Sequence, residues 1–201
     1  MVDLSIACRC GKLQLVTANV RPETSNQVAC YCTGCRTYAE RLGRLDILDE
    51  DGATERFQVT PASVTITAGR EHLACLQQTK GGAFRWYARC CDSPIALTLP
   101  GPRVPFVGID SLTVQGDGLN AAVGPVRARV NGSFKGAAAR ARKADLRSLF
   151  AMLRHLMPLT FRWWWRGDHK RSPFFENGAP VEPVQQLYDA PRTLAQTAGC
   201  R

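Results

Sequence analysis

CYCTGC, residues 30–35, sets three cysteines at positions i, i+2 and i+5, too close together for easy pairing among themselves. Two more close groups stand elsewhere, CRC at 8–10 and CC at 90–91, so seven of the nine cysteines are clustered. What the thiols hold therefore decides how the chain is built.

A reducing compartment keeps thiols free, and close cysteine groups there are more often metal-binding or catalytic than disulfide-forming. The opening stretch MVDLSIACRCGK lacks the basic and apolar regions of a secretory signal, and no apolar run approaches the roughly 20 residues that span a bilayer. We expect a cytoplasmic protein without a transmembrane segment. Asn131-Gly132-Ser133 then reads as a turn, not as a glycosylation site. At 201 residues, 45% hydrophobic and 21% charged, the chain can bury a sizeable core, and its composition excludes disordered and fibrous classes.

Around the cysteines the chain reads as β. GKLQLVTANV, RFQVTPASVTITAG, HLACLQQT, FRWYARC, SPIALTL and VPFVGIDSLTV are short runs rich in β-branched or alternating apolar residues. Turn signals such as Asp51-Gly52, Thr60-Pro61 and Gly81-Gly82 divide them at the spacing of an antiparallel sandwich or open barrel. CYCTGCRTYAERLGR reads as a knuckle running into a short helix.

Near Pro125 the character changes. Residues 127–171 carry 12 Lys or Arg against 2 Asp or Glu, a balance of +10, which leaves −1 on the remainder of a +9 chain. Leu146, Leu149, Phe150, Leu153 and Met157 recur at helical spacing until Pro158, where the helix is expected to end. We expect this stripe to pack on the β-core while Arg140, Lys143, Arg147 and Arg154 face water. Nucleic acid or an anionic membrane, the latter favoured by Trp163, Trp164 and Trp165, is the competing use of residues 127–171. His72 and His155 read as strand and helix surface residues, His169 as part of a charged loop, Cys75 as a small core residue and Cys200 as a tail thiol.

Zinc takes four thiolate or imidazole ligands in a tetrahedron, at about 2.3 Å for each sulfur. Cys8 and Cys10 can face one ion if the chain bends, which Gly11 permits. Cys90 and Cys91 are the natural distant pair, although neighbours on an extended strand point to opposite faces, so only one is expected to ligate. Cys30, Cys32 and Cys35 offer three thiolates and no evident fourth ligand. Structural sites are closed by four protein ligands, whereas catalytic ones keep a position open, so this second group is the better candidate for chemistry, with an exogenous thiol in the gap. Arg36, next in sequence, is placed to offset the negative charge.

Taken together, CRCGKLQL, CYCTGCRTYA and WYARCCDSPI resemble the glutathione-dependent formaldehyde-activating enzyme and centromere protein V family, whose pattern is CxCG, CxCxxC, CxxCG. The resemblance covers roughly residues 3–115, and RWYARCCDSPI with HKRSPFF is similar to an uncharacterised bacterial branch. It implies a β-tent fold of short antiparallel strands with zinc knuckles over 1–125; the change in charge near Pro125 marks 126–201 as a basic helical and Pro-rich extension expected to pack on it. The resemblance also implies a structural zinc at Cys8, Cys10, Cys91 and, in place of a missing ligand, Cys90, because Ala88 stands where the family has a cysteine and Asp92 where it has glycine. Cys30, Cys32 and Cys35 match the catalytic zinc that accepts glutathione. The expected function is a glutathione- or thiol-dependent carbon–sulfur lyase acting on a small electrophile such as an aldehyde. The alternative is a non-catalytic zinc-stapled module whose basic arm binds nucleic acid or an anionic surface.

Overall fold

The computed structural model describes residues 2–130 and 146–188. The turn expected at Asn131-Gly132, the basic Arg140 and Lys143, and Cys200 lie outside these residues, as do the side chains of Leu146 and Arg147.

The fold is mostly β. In chain order it comprises β1 (Val2–Ala7), β2 (Gln14–Val20), β3 (Asn26–Cys30), helix α1 (Thr33–Arg41), β4 (Thr54–Val59), β5 (Val64–Ala68), β6 (Leu73–Gln77), β7 (Phe84–Ala88), β8 (Ser93–Thr98) and β9 (Val107–Asp110). Then follow α2 (Leu119–Val123), β10 (Ala128–Val130), α3 (Leu146–Trp165), β11 (Phe175–Glu176), β12 (Ala179–Pro180) and β13 (Val184–Gln186). Strands β1, β2 and β5 form one small antiparallel sheet, and β11 pairs with β12. The large sheet runs β10-β3-β4-β9-β8-β7-β6-β13, antiparallel inside and closed at each edge by a short parallel strand from the C-terminal part of the chain.

Side-chain alternation gives the large sheet two different faces. Phe57 and Val59 of β4, Trp86 and Ala88 of β7, and Val107 and Ile109 of β9 join Leu4, Ile6 and Leu15 of the small sheet in the main core. Phe174 enters the same core from the C-terminal part, its ring 5.0 Å from that of Trp86. The intervening residues Arg56, Gln58, Arg85 and Gly108 point to the opposite face, and there they line a cavity of about 380 Å³. Leu97 reaches that cavity because it pairs with Arg85 and shares its face, while the jump in pairing from Trp86–Ala96 to Tyr87–Pro94 skips Ile95 and lets Ile95 and Ala96 both enter the core.

Helix α3 departs from the sequence reading in two ways. It runs through Pro158 to Trp165 and does not stop there. Proline removes one backbone donor and crowds the preceding turn, but Leu159 and Trp163 beyond it are buried and hold the second half against the body of the protein. The expected apolar stripe is also the wrong face. Leu149 and Leu153 are each 41% exposed, Met157 61% and Phe150 70%, while the face carrying Leu159 and Trp163 is the one that docks. The helix lies near β10 and β3, and His155 hydrogen-bonds the Ser25 carbonyl across that contact.

Candidate metal centres

The first centre is built by two turns. Between β1 and β2 the chain bends at Cys8-Arg9-Cys10-Gly11: the Gly11 N–H donates to the Cys8 carbonyl at 2.8 Å, and Gly11 takes a φ of +74°, which glycine adopts freely. The backbone N–H of Leu13 donates to the Cys8 sulfur at 3.3 Å. The second turn, Arg89 to Asp92, joins β7 to β8 and carries Cys90 and Cys91. Its ends are fixed by the Cys91 N–H on the Ala88 carbonyl at 3.3 Å and by Asp92 at φ +51°.

The four sulfurs of Cys8, Cys10, Cys90 and Cys91 all lie within 4.8 Å of one another. Cys10 and Cys90 are 3.3 Å apart, Cys8 and Cys10 3.6 Å, and Cys8 and Cys90 3.8 Å. The edge of a tetrahedron with arms of about 2.3 Å is about 3.8 Å, so the spacing suits a thiolate-bound ion. The sequence argument that only one of Cys90 and Cys91 can face the site fails because both sit in a turn, where the two-face alternation of a strand does not apply. Ala88 is a fully buried strand residue of the core, and Cys90 supplies the fourth sulfur from the turn.

Ser93 ties this centre to the rest of the fold. Its hydroxyl accepts from the Arg9 N–H at 2.9 Å and from Arg44 Nη1 at 2.9 Å, and lies 3.2 Å from the Cys91 sulfur. Burial works against ionisation of Cys91, but the Ser93 hydroxyl, the Cys10 N–H and the neighbouring thiols outweigh it and bring the thiol down to about 6. Burial and bonds with the Cys10 and Cys8 thiols push Cys90 the other way.

The second centre lies where β3 ends and α1 begins. Cys30 closes β3, Cys32 caps α1 by accepting from the Cys35 N–H at 3.3 Å, and Cys35 sits in the first helical turn. Their sulfurs also lie within 4.8 Å of one another, and among the described residues no fourth His, Cys, Asp or Glu joins them. Hydrogen bonds from Cys30 and Cys32 hold the Cys35 thiol well below its ordinary range, with the Arg56 and Arg85 charges adding to them against burial. Bonds with Cys32 and Cys35, and burial after them, push Cys30 up.

Arg36 does not offset this charge. It turns to solvent and pairs with Glu40 at 3.2 Å, one helical turn on. The guanidinium groups beside the cluster come from the sheet: Arg56 donates to the Cys35 sulfur at 3.2 Å, and Arg85 lies 3.9 Å from it while stacking 4.9 Å above the Tyr38 ring. Gly34 leaves room for Arg85, since a Cβ there would stand 3.1 Å from its Nη2. Arg56 is also ion-paired with the buried Asp110 at 3.4 Å, and burial pushes that carboxyl up to about 6.

The three cysteines open onto the cavity on the non-core face of the large sheet. Its floor carries Arg56, Gln58 and Arg85, and Leu149 and Met152 of α3 form part of its wall. Sequence reading missed both arginines. The available signal was a cation inside each of two apolar β runs, RFQV and FRWYA, at positions alternating with the core residues Phe57 and Trp86.

Cys75 lies in β6, buried in the core, and burial pushes its thiol up to about 12, which fits a small structural residue.

A family model described as a family of unknown function (DUF6151) matches residues 2–185. No curated protein matches the chain. Among solved structures, a Rhodobacter sphaeroides protein determined as a structural-genomics target is similar at 16% identity, with a TM-score of 0.42, over 56% of this chain and 89% of that one.

Proposed function

The chain belongs to the DUF6151 family, and from that premise we propose that it is a zinc protein with one closed and one open site. The open one serves a glutathione- or thiol-dependent carbon–sulfur lyase reaction on a small electrophile such as an aldehyde. The observation that carries this reading is the contrast between the two centres: four sulfurs at Cys8, Cys10, Cys90 and Cys91, but three at Cys30, Cys32 and Cys35, facing a cavity. Structural zinc is closed by its protein ligands, whereas an incomplete set leaves a position for a substrate atom.

Asp92 supports the resemblance to the glutathione-dependent formaldehyde-activating enzyme and centromere protein V family. It replaces that family's glycine and holds the left-handed backbone that glycine favours and aspartate tolerates.

Zinc, when bound, supplies a site that keeps a fourth thiol ionised at neutral pH. The protein does the rest. Arg56 and Arg85 bring two buried positive charges to within 4 Å of the Cys35 sulfur, offsetting a cluster that with a divalent ion and four thiolates is doubly negative. Without that offset, burial would favour protonation and loss of the ligand. The apolar wall of Val28, Leu97, Phe106 and Leu149 offers the carbon part of a small electrophile a surface to pack on beside the thiols.

The test is elemental analysis of protein purified without chelators, followed by cobalt substitution. About two metal ions per chain are expected. Adding glutathione should shift the visible bands of the cobalt protein, as the ligand set at the open site changes. Absence of metal, or bands that ignore every thiol offered, would overturn the reading.

A further inference from the structure

One face of α3 is left largely uncovered by the described residues, although Trp164 stacks on the His169 ring at 6.4 Å. Phe150, Leu153, Met157, Phe161, Trp164 and Trp165 follow one another at intervals of mainly three and four, so they share the face opposite the buried Leu159 and Trp163. The exposure is large: 65% for Phe161 and 77% for Trp165, whose rings lean on each other at 6.4 Å. A run of six large apolar side chains in water is more than a monomer ordinarily tolerates.

Charge says what covers it. Arg154 and Arg162 on the same helix and Arg166 just past its end are exposed, Arg166 also lying 3.8 Å from Asp168, and Arg162 and Arg166 border a shallow cleft whose floor is Phe161 and Trp165. A second copy of this face would meet it with like charge. A nucleic acid would match the arginines but leave Leu153 and Met157 without an apolar partner.

We infer that α3 is an interfacial helix that docks this protein on an anionic lipid bilayer, its aromatic face entering the boundary between headgroups and acyl chains and its arginines meeting lipid phosphates. The helix lies in the membrane plane and does not cross it, since no helix among the described residues is long and apolar enough to span a bilayer. Tryptophan suits the wet side of such a boundary, with an apolar body and one polar N–H. The basic residues supply the preference for anionic lipid.

The experiment is co-sedimentation of the full chain with vesicles of phosphatidylcholine alone and of equimolar phosphatidylcholine and phosphatidylglycerol, followed by tryptophan emission. Binding to the mixed vesicles is expected to be about tenfold tighter or more than to the neutral ones, to weaken with salt, and to bring a blue shift. The double variant Phe161→Asp, Trp165→Asp should lose binding and blue shift while keeping its circular dichroism and metal content, because both side chains already face solvent. Arg162→Gln with Arg166→Gln should lose the anionic preference and keep residual binding. Protein that stays in the supernatant with mixed vesicles overturns the inference. So does unchanged binding by the aspartate variant, which would mean charge alone. A dimer that the aspartate variant dissociates would assign the face to a second copy, and single-stranded RNA bound without any vesicle binding would assign it to nucleic acid.

Discussion

Arg56 donates from Nη1 to the sulfur of Cys35 across 3.2 Å, and both side chains are buried. On its other side the same guanidinium faces Asp110 at 3.4 Å. A single buried cation therefore stands between a thiolate cluster and a carboxyl, and neither anion keeps its environment without it. Replacing it by a neutral chain of similar length, Arg56→Met, should cost about 3 to 5 kcal/mol in urea denaturation, the range for breaking a buried ion pair by removing one partner. Adding Asp110→Leu should recover a large part of that loss but not the affinity of the second cluster for metal. A single substitution costing under about 1 kcal/mol would mean that the pair contributes little.

Asp110 makes a separate prediction for pH. Burial raises its folded pKa from the ordinary 3.8 to about 6, with the Arg56 charge acting in the opposite sense. Between those two values the folded protein binds more protons than the unfolded one, so this group's contribution falls as pH rises through that window and is complete only below it. Relative to Asp110→Asn, the unsubstituted protein should lose about 1 to 3 kcal/mol between pH 4 and pH 6, because each tenfold difference in proton affinity between the two states is worth about 1.4 kcal/mol. Parallel stability curves for the two proteins across that range would contradict it.

The strands that alternate cleanly are legible in the sequence, and so are the three cysteine motifs, because side-chain period and ligand spacing are local properties. Strand β1 alternates just as cleanly, Val2, Leu4 and Ile6 against Asp3 and Ser5, and is equally legible, although sequence reading missed it. Strand β3 is not legible, because NQVAC carries polar residues that become buried only through pairing with β4 and β10. The convergence of Cys90 with Cys91 depends on a turn that reads as strand from sequence alone. The two arginines at Cys35 depend on which face of a sheet receives the core, and that is decided by the small sheet packing on the other side. Helix α3 shows the same limit, since an apolar stripe fixes a face but not what covers it.

The two centres should answer mutation differently. Cys10→Ser breaks a four-sulfur cluster that joins the β1–β2 turn to the β7–β8 turn, and structural zinc contributes folding free energy directly. A fall in melting temperature of about 10 °C or more is expected, corresponding to several kcal/mol for a chain of this length. Cys32→Ser should remove one metal ion and any thiol-dependent activity with a smaller loss of stability, because it unties a knuckle already held by β3 and α1. Differential scanning calorimetry with metal analysis of both variants tests this, and the reverse order of melting temperatures would favour a purely structural second site.

The sharpest test of the first centre compares neighbours. If only the residue in strand register could ligate, Cys91→Ser would strip the metal and Cys90→Ser would not. The geometry gives another expectation: the Cys90 sulfur is 3.3 Å from Cys10 and 3.8 Å from Cys8, while Cys91 is held by Ser93 at 3.2 Å and lies within 4.8 Å of the other three. Serine at either position should therefore lower zinc stoichiometry by about one ion per chain, since a four-thiolate site loses its closure with any one ligand. Ala88→Cys, which restores the spacing of the related motif, should bring no gain in affinity, because four sulfurs already converge and Ala88 is fully buried among core side chains that a larger atom would crowd. Competition with a chromophoric chelator measures all three variants on one scale. A gain from Ala88→Cys together with indifference to Cys90→Ser would show that Cys90 is not a ligand.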